Sequence, residues 1–215
     1  MSSRTSTDTI VLHFKEGLHT VNTLAVHPTS TSEIVLASIL LSERFDVRPQ
    51  IVPTIGSLDQ MLLSADAALL VGNAAVEQAQ THRNKLDLIE EWFDMTGLPY
   101  VHGFWCVRET DIGREDIGAI QLASERGKKT LAGSIDLGAT GQTPRLSSNM
   151  LKKYLSSFSF ALGDEEQEAI AEFIRYAYYH GVLPDAADLT FYPTDKKDEL
   201  PYADLSLNEV ACLFS

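Results

Sequence analysis

Apolar and polar residues alternate along the first half of the chain in two distinct rhythms. Val21, Leu24 and Val26 sit in a strand-like mixture over 20–26, which runs into His27-Pro28-Thr29-Ser30. Ile34, Val35, Ala37, Ile39, Leu40 and Leu41 then recur at helical spacing. Residues 48–53 read as a short strand closed by Pro53 and Gly56. Ser57 is placed to cap the next helix, with Gln60 three residues on and Leu58, Met61 and Leu62 turned inward. Ala67-Ala68-Leu69-Leu70-Val71 is an unbroken apolar run, as in a parallel strand buried on both faces. A helix over 86–95 carries Trp92 and is stopped by Gly97 and Pro99, and 99–107 reads as the next strand.

The rhythm changes after about residue 110. Helical spacing is predicted over 117–126 and again over 150–158. Between them, 132–144 holds four Gly or Pro residues and reads as an irregular connection. Asp164, with Gln167 in the capping-box position, opens a helix whose apolar stripe is Ile170, Phe173, Ile174 and Ala177 and which Gly181 ends. Tyr176, Tyr178 and Tyr179 join Phe173 as core or interface, and Glu165, Glu166 and Glu168 in the first turn are expected to face water. Strands alternating with helices through short connections define an α/β lobe with a mostly parallel sheet, followed by helices. The expected division is 1–108, an α/β lobe carrying a ligand-binding helix N-terminus; 109–193, a mainly helical segment returning to the other lobe; and 194–215, a loose tail.

Charge narrows the choice of partner. A formal net charge of −13 repels phosphate backbones and anionic lipid, so neither nucleic acid nor a membrane surface is an expected partner. No apolar run reaches the ~18 residues a membrane span needs, and the Ser/Thr-rich start lacks a secretory core, so a cytoplasmic protein is expected. Cys106 and Cys212 are too far apart in sequence to suggest a metal site, and Cys106 beside Trp105 reads as a small buried hydrophobe.

The candidate chemistry lies at two places. Ser30 and Glu33 match the capping-box pattern, and the hydroxyls of Thr31 and Ser32 add donors to a helix start that favours negative charge. A carboxylate ligand would be held there, although a well-capped helix explains the same residues. Gly72 and Asn73 follow the buried strand at its carboxyl end, where open sheets bind ligands; an ordinary turn fits them equally. His102, in the predicted strand beside Gly103, is expected to be structural. The six histidines show no metal-ligand spacing, and nucleophile-elbow, dinucleotide and phosphate-loop motifs are absent. No metal and no cofactor are expected.

The particular words go further. Residues 67–73, then Asp87-Leu88-Ile89-Glu90-Glu91-Trp92, Thr96-Gly97-Leu98-Pro99-Tyr100-Val101 and Phe104-Trp105, closely resemble the menaquinone-biosynthesis family of the futalosine route. Ser30-Thr31-Ser32, Arg48-Pro49, Tyr154-Leu155, Leu162-Gly163-Asp164-Glu165-Glu166 and Ala177-Tyr178-Tyr179-His180-Gly181 fit the same pattern, which runs from about 21 to 193. The resemblance implies a periplasmic-binding-protein-like (type 2) fold of two lobes with a carboxylate ligand in the cleft. It implies dehydration of chorismate to 3-[(1-carboxyvinyl)oxy]benzoate without metal or redox cofactor, Thr31 and Ser32 holding the substrate. The substrate-binding set is then Ser30, Thr31, Ser32, Gly72 and Asn73, with the catalytic base unassigned. A sister activity on a cyclic futalosine derivative carries a histidine where this chain has Gly72, which favours the dehydratase branch. That branch has Asp after the glycine, and this chain has Asn73. Family members begin with a further segment bearing a Tyr-Leu-Asn-type motif, so the first lobe is expected to be incomplete, through a misplaced start or a shortened paralogue. Apolar surface left uncovered by such a loss predicts self-association. A carboxylate-binding module without chemistry is the alternative.

Overall fold

The computed structural model describes residues 1–78, 84–106, 113–133, 154–186 and 189–191. Its centre is a five-stranded sheet in the order β4-β3-β5-β2-β6. The strands are β2 (Ile10–Phe14), β3 (Thr23–Val26), β4 (Gln50–Pro53), β5 (Ala67–Val71) and β6 (Lys85–Asp87). β3 is parallel to β4 and β5, with Leu24 opposite both Ile51 and Ala67, whereas β2 runs antiparallel to β5 and β6, with Leu12 opposite Leu69 and Leu86. The sheet is therefore mixed, not mostly parallel. Ile10-Val11-Leu12 is too short a run to announce a central strand, and it enters from the edge opposite to its neighbours.

Alternation along these strands fills two cores. Ile10, Leu12, Leu24, Val26, Ala67 and Leu69 face α1 (Thr31–Phe45) and α4 (Leu88–Thr96), which contribute Leu36, Leu40, Ile89 and Trp92. Val11, Ala25, Ala68 and Leu70 face α2 (Leu58–Ser64) and α3 (Asn73–Gln78), through Leu58, Met61 and Ala75. The result is an α/β structure with helices on both faces of one sheet.

Several boundaries move relative to the sequence reading. Residues 85–87 are strand, so the Trp92 helix starts at Leu88, because the Asp87 carboxylate caps it by accepting from the N–H groups of Ile89 and Glu90. Gly97, at φ +71, ends it in the left-handed conformation that glycine adopts without strain. Ser57 and Gln60 form the expected capping box. The expected strand over 99–107 is only β7 (Tyr100–Val101), paired antiparallel with β1 (Ser2–Ser3); residue 107 lies outside the described residues.

Helix α5 (Arg114–Gly133) is longer than the predicted 117–126. Most of 132–144, residues 150–153 and the tail beyond 191 lie outside the described residues, and of 150–158 only 154–156 are described as helical. The last described helix, α6 (Asp164–Tyr179), has Gly163 as its N-cap, not Asp164. The box partner is also Glu166, not Gln167: its Oε2 accepts from the N–H of Gly163 at 2.9 Å. Glu166 is consequently buried, contrary to the expectation of a solvated first turn, and its other oxygen accepts from Ser2 Oγ. Phe173 and Tyr176 pack on Trp92, whereas Tyr178 and Tyr179 are exposed.

Candidate functional site

Strands β3, β4, β5 and β6 each run straight into a helix, so α1, α2, α3 and α4 all begin at one edge of the sheet. The antiparallel β2 starts at the same edge, and the N–H of Gly72 donates to the Thr9 carbonyl at 2.7 Å, closing β5 onto the start of β2. Ser30-Thr31-Ser32 and Gly72-Asn73 follow the neighbouring strands β3 and β5, so the topology brings both groups to one edge. Gly72 has φ +67, a conformation that makes glycine the natural residue at this turn. Asn73, expected either to contact a ligand or to make an ordinary turn, opens the first turn of α3 and is exposed.

The capping box expected at the head of α1 does not form. Ser30 is the N-cap, but its side chain makes no cap hydrogen bond. The turn that brings the Ser30 N–H to the His27 carbonyl at 3.1 Å leaves Ser30 at ψ 57, outside the extended geometry from which an N-cap oxygen reaches the helix amides. Among the described residues no hydrogen bond engages the hydroxyls of Ser30, Thr31 or Ser32, and Thr31 and Ser32 are exposed. The amino end of a four-turn helix thus carries unpartnered N–H groups and hydroxyls towards solvent, an arrangement that favours an anion.

Glu33, released from the box, acts elsewhere. Burial foremost, and the Glu33 charge secondarily, push the Tyr100 phenol above its ordinary pKa. Two residues on, His102 Nε2 lies 2.7 Å from Ser3 Oγ, and its ring meets those of Tyr100 and Phe158 edge to face, each at 5.0 Å. Burial, then the positive charge of the amino terminus, lowers the His102 pKa to about 4, so the imidazole is neutral near pH 7. His102 lies just beyond β7 and not within a longer strand. No local pattern reveals its partner, because Ser3 sits in a polar start that reads as featureless. Cys106, expected to be buried, is exposed, as is Trp105.

A pH dependence of stability follows from His102. The unfolded chain takes up the proton near the ordinary value of about 6.5, before the folded protein does, so stability falls as pH drops from there towards about 4. Urea unfolding should show wild type losing about 2–3 kcal/mol more than His102→Gln between pH 7 and pH 4.5. Equal losses would remove His102 from this account.

Among the described residues no group of three or more His, Cys, Asp or Glu is placed to hold a metal ion, and no helix is long and apolar enough to cross a membrane. The structure is an open α/β sheet that gathers helix starts, hydroxyls and a positive-φ glycine at one edge, and in open α/β sheets ligands bind outside the carboxyl ends of the strands. The family follows from comparison: the chain belongs to the menaquinone biosynthesis family, whose model matches residues 4–179.

Proposed function

We propose that this protein is the chorismate dehydratase of its family, removing water from chorismate to give 3-[(1-carboxyvinyl)oxy]benzoate in the futalosine route to menaquinone. The observation that carries the reading is the amino end of α1, where Thr31 and Ser32 are exposed and Ser30 leaves the helix amides uncapped. A substrate carboxylate satisfies those donors, and Gly72 lets it approach the neighbouring backbone. The mixed sheet, with β2 entering against its neighbours and β1 and β7 leading away together, supports one lobe of a type 2 binding-protein-like fold with the cleft at this edge.

The chemistry asks little of the protein. A ring C–H proton passes to a base, the C–O bond to the ring hydroxyl breaks, and hydroxide takes up a proton to leave as water. Aromatisation of the ring drives the step, so orienting the substrate and excluding other conformers is the main contribution of the site.

Incubation with chorismate followed by chromatography should reveal the enolpyruvyl benzoate. Thr31→Val and Ser32→Ala should each raise KM by about tenfold, the loss expected for a hydrogen bond to a charged group. Absence of both product and chorismate binding would refute the assignment. Asn73, standing where the resemblance expects Asp, favours a second reading, a carboxylate-binding module without turnover. Calorimetric binding of chorismate with no product would establish that one.

A further inference from the structure

The segment that leads into β2 holds a buried polar pair. Thr7 and Thr9 are 8% and 6% exposed, and their hydroxyl oxygens lie 2.6 Å apart. In an extended strand, residues two apart stand about 7 Å from one another. Asp8, between them, has φ 54, and this left-handed kink folds the two hydroxyls together. A rare backbone conformation and two buried hydroxyls therefore coincide at one point.

The pair has a donor to spare. Two hydroxyls carry two protons, and their mutual bond uses one. Among the described residues no other hydrogen bond engages either oxygen, so one buried O–H is left without an acceptor. A buried donor left unmatched is costly, and an oxygen atom arriving there removes the cost.

Its place selects that oxygen. The Thr9 carbonyl accepts from the Gly72 N–H at 2.7 Å, so the pair adjoins the Gly72 turn. Asp87 Oδ2 accepts from the Thr7 N–H at 3.2 Å, and a carboxylate so near repels a second anion. The matching acceptor is a neutral oxygen. β2 and β3 flank β5, so the start of β2 and the end of β3, at the same edge, stand about 10 Å apart, two strand spacings. Chorismate carries its ring carboxylate and its hydroxyl on opposite carbons of the ring. A molecule held by that carboxylate at α1, beyond the end of β3, spans this distance with its hydroxyl.

We propose that the Thr7–Thr9 pair binds the ring hydroxyl that leaves, and so acts as a catalytic donor in the dehydration. The inference rests on the dehydratase reading and extends it from the carboxylate to the leaving group. As the C–O bond breaks, its electron pair goes to the oxygen, and the spare O–H meets the growing negative charge. The other threonine, donating to the first, strengthens that bond. The pair keeps its own protons. The proton lost from the ring carbon ends on the departing oxygen, and water leaves.

Initial rates with chorismate and the inhibition constant of the product test this. The product retains both carboxylates and lacks the ring hydroxyl. The double variant Thr7→Val/Thr9→Val, which keeps the shape of both side chains, should lower kcat at least about tenfold, the loss expected for a hydrogen bond to a charged group. Product inhibition should be unchanged. Thr7→Ser/Thr9→Ser, which keeps both hydroxyls, should retain most of the rate. An unchanged kcat in the valine variant would overturn this inference alone. So would equal losses of kcat and product affinity, the mark of a general disturbance of the edge, or a serine variant as slow as the valine one. A wild type that forms no product would overturn it together with the dehydratase reading.

Discussion

Replacing Trp92 with alanine should cost about 3–5 kcal/mol of folding stability, a large share of the total for a domain of this size. The indole is fully buried, and it joins three elements. Its ring meets Phe173 and Tyr176 of α6 at 5.8 and 5.9 Å and Tyr100 of β7 at 6.5 Å, all edge to face. Its Nε1–H donates to the Pro99 carbonyl at 3.3 Å, holding the turn between α4 and β7. Alanine removes the largest fully buried side chain and leaves that carbonyl without its donor. Trp92→Phe keeps most of the packing and loses the hydrogen bond, so about 1–2 kcal/mol is expected. Urea unfolding followed by circular dichroism gives both values. A loss under about 1 kcal/mol for Trp92→Ala would show that α6 is not held through this ring.

The elements legible in the sequence are those whose pattern is local. The apolar run at β5, the Ser57 capping box, the Gly97 stop and the stripe of α6 depend on neighbours within a turn or a strand, and each stands where the pattern puts it. What escaped depends on distant partners. β2 is a strand because β5 and β6 lie on either side of it, and nothing within five residues says that it runs against them. Glu166 looks like a solvated first-turn acid until Ser2, 164 positions earlier, is placed against it. The candidate site divides the same way. The α1 end and Gly72 follow from strand–helix junctions and can be picked out by eye. The unmade Ser30 box depends on a backbone angle, and the Ser3–His102 pair spans 99 positions.

Asp87 provides the second large effect, and it tests how the sheet is tied to the site. One oxygen, Oδ1, accepts from the N–H groups of Ile89 and Glu90 at 2.9 and 3.3 Å, capping α4. The other, Oδ2, accepts from the N–H groups of Thr7 and Asp8 at 3.2 and 2.8 Å and from Ser6 Oγ at 2.9 Å. A single carboxylate therefore caps the Trp92 helix and anchors the segment that leads from β1 into β2. That segment includes Asp8 at φ 54, a left-handed conformation that a non-glycine residue adopts only with support. Asp87→Ala strips both sets of donors and should cost about 3–4 kcal/mol. Asp87→Asn retains an oxygen for the helix, and asparagine is a good N-cap, but its NH2 group then faces the Thr7 and Asp8 donors and can accept from neither. About half the alanine loss is expected, with the helix cap intact and residues 6–8 released. The distinction shows in hydrogen exchange: the asparagine variant should lose protection at Thr7 and Asp8 and keep it at Ile89 and Glu90, whereas alanine should lose all four. Equal protection in both variants would mean that the start of β2 is held by its sheet partners alone. In that case the geometry at Gly72 and Thr9 would not depend on Asp87.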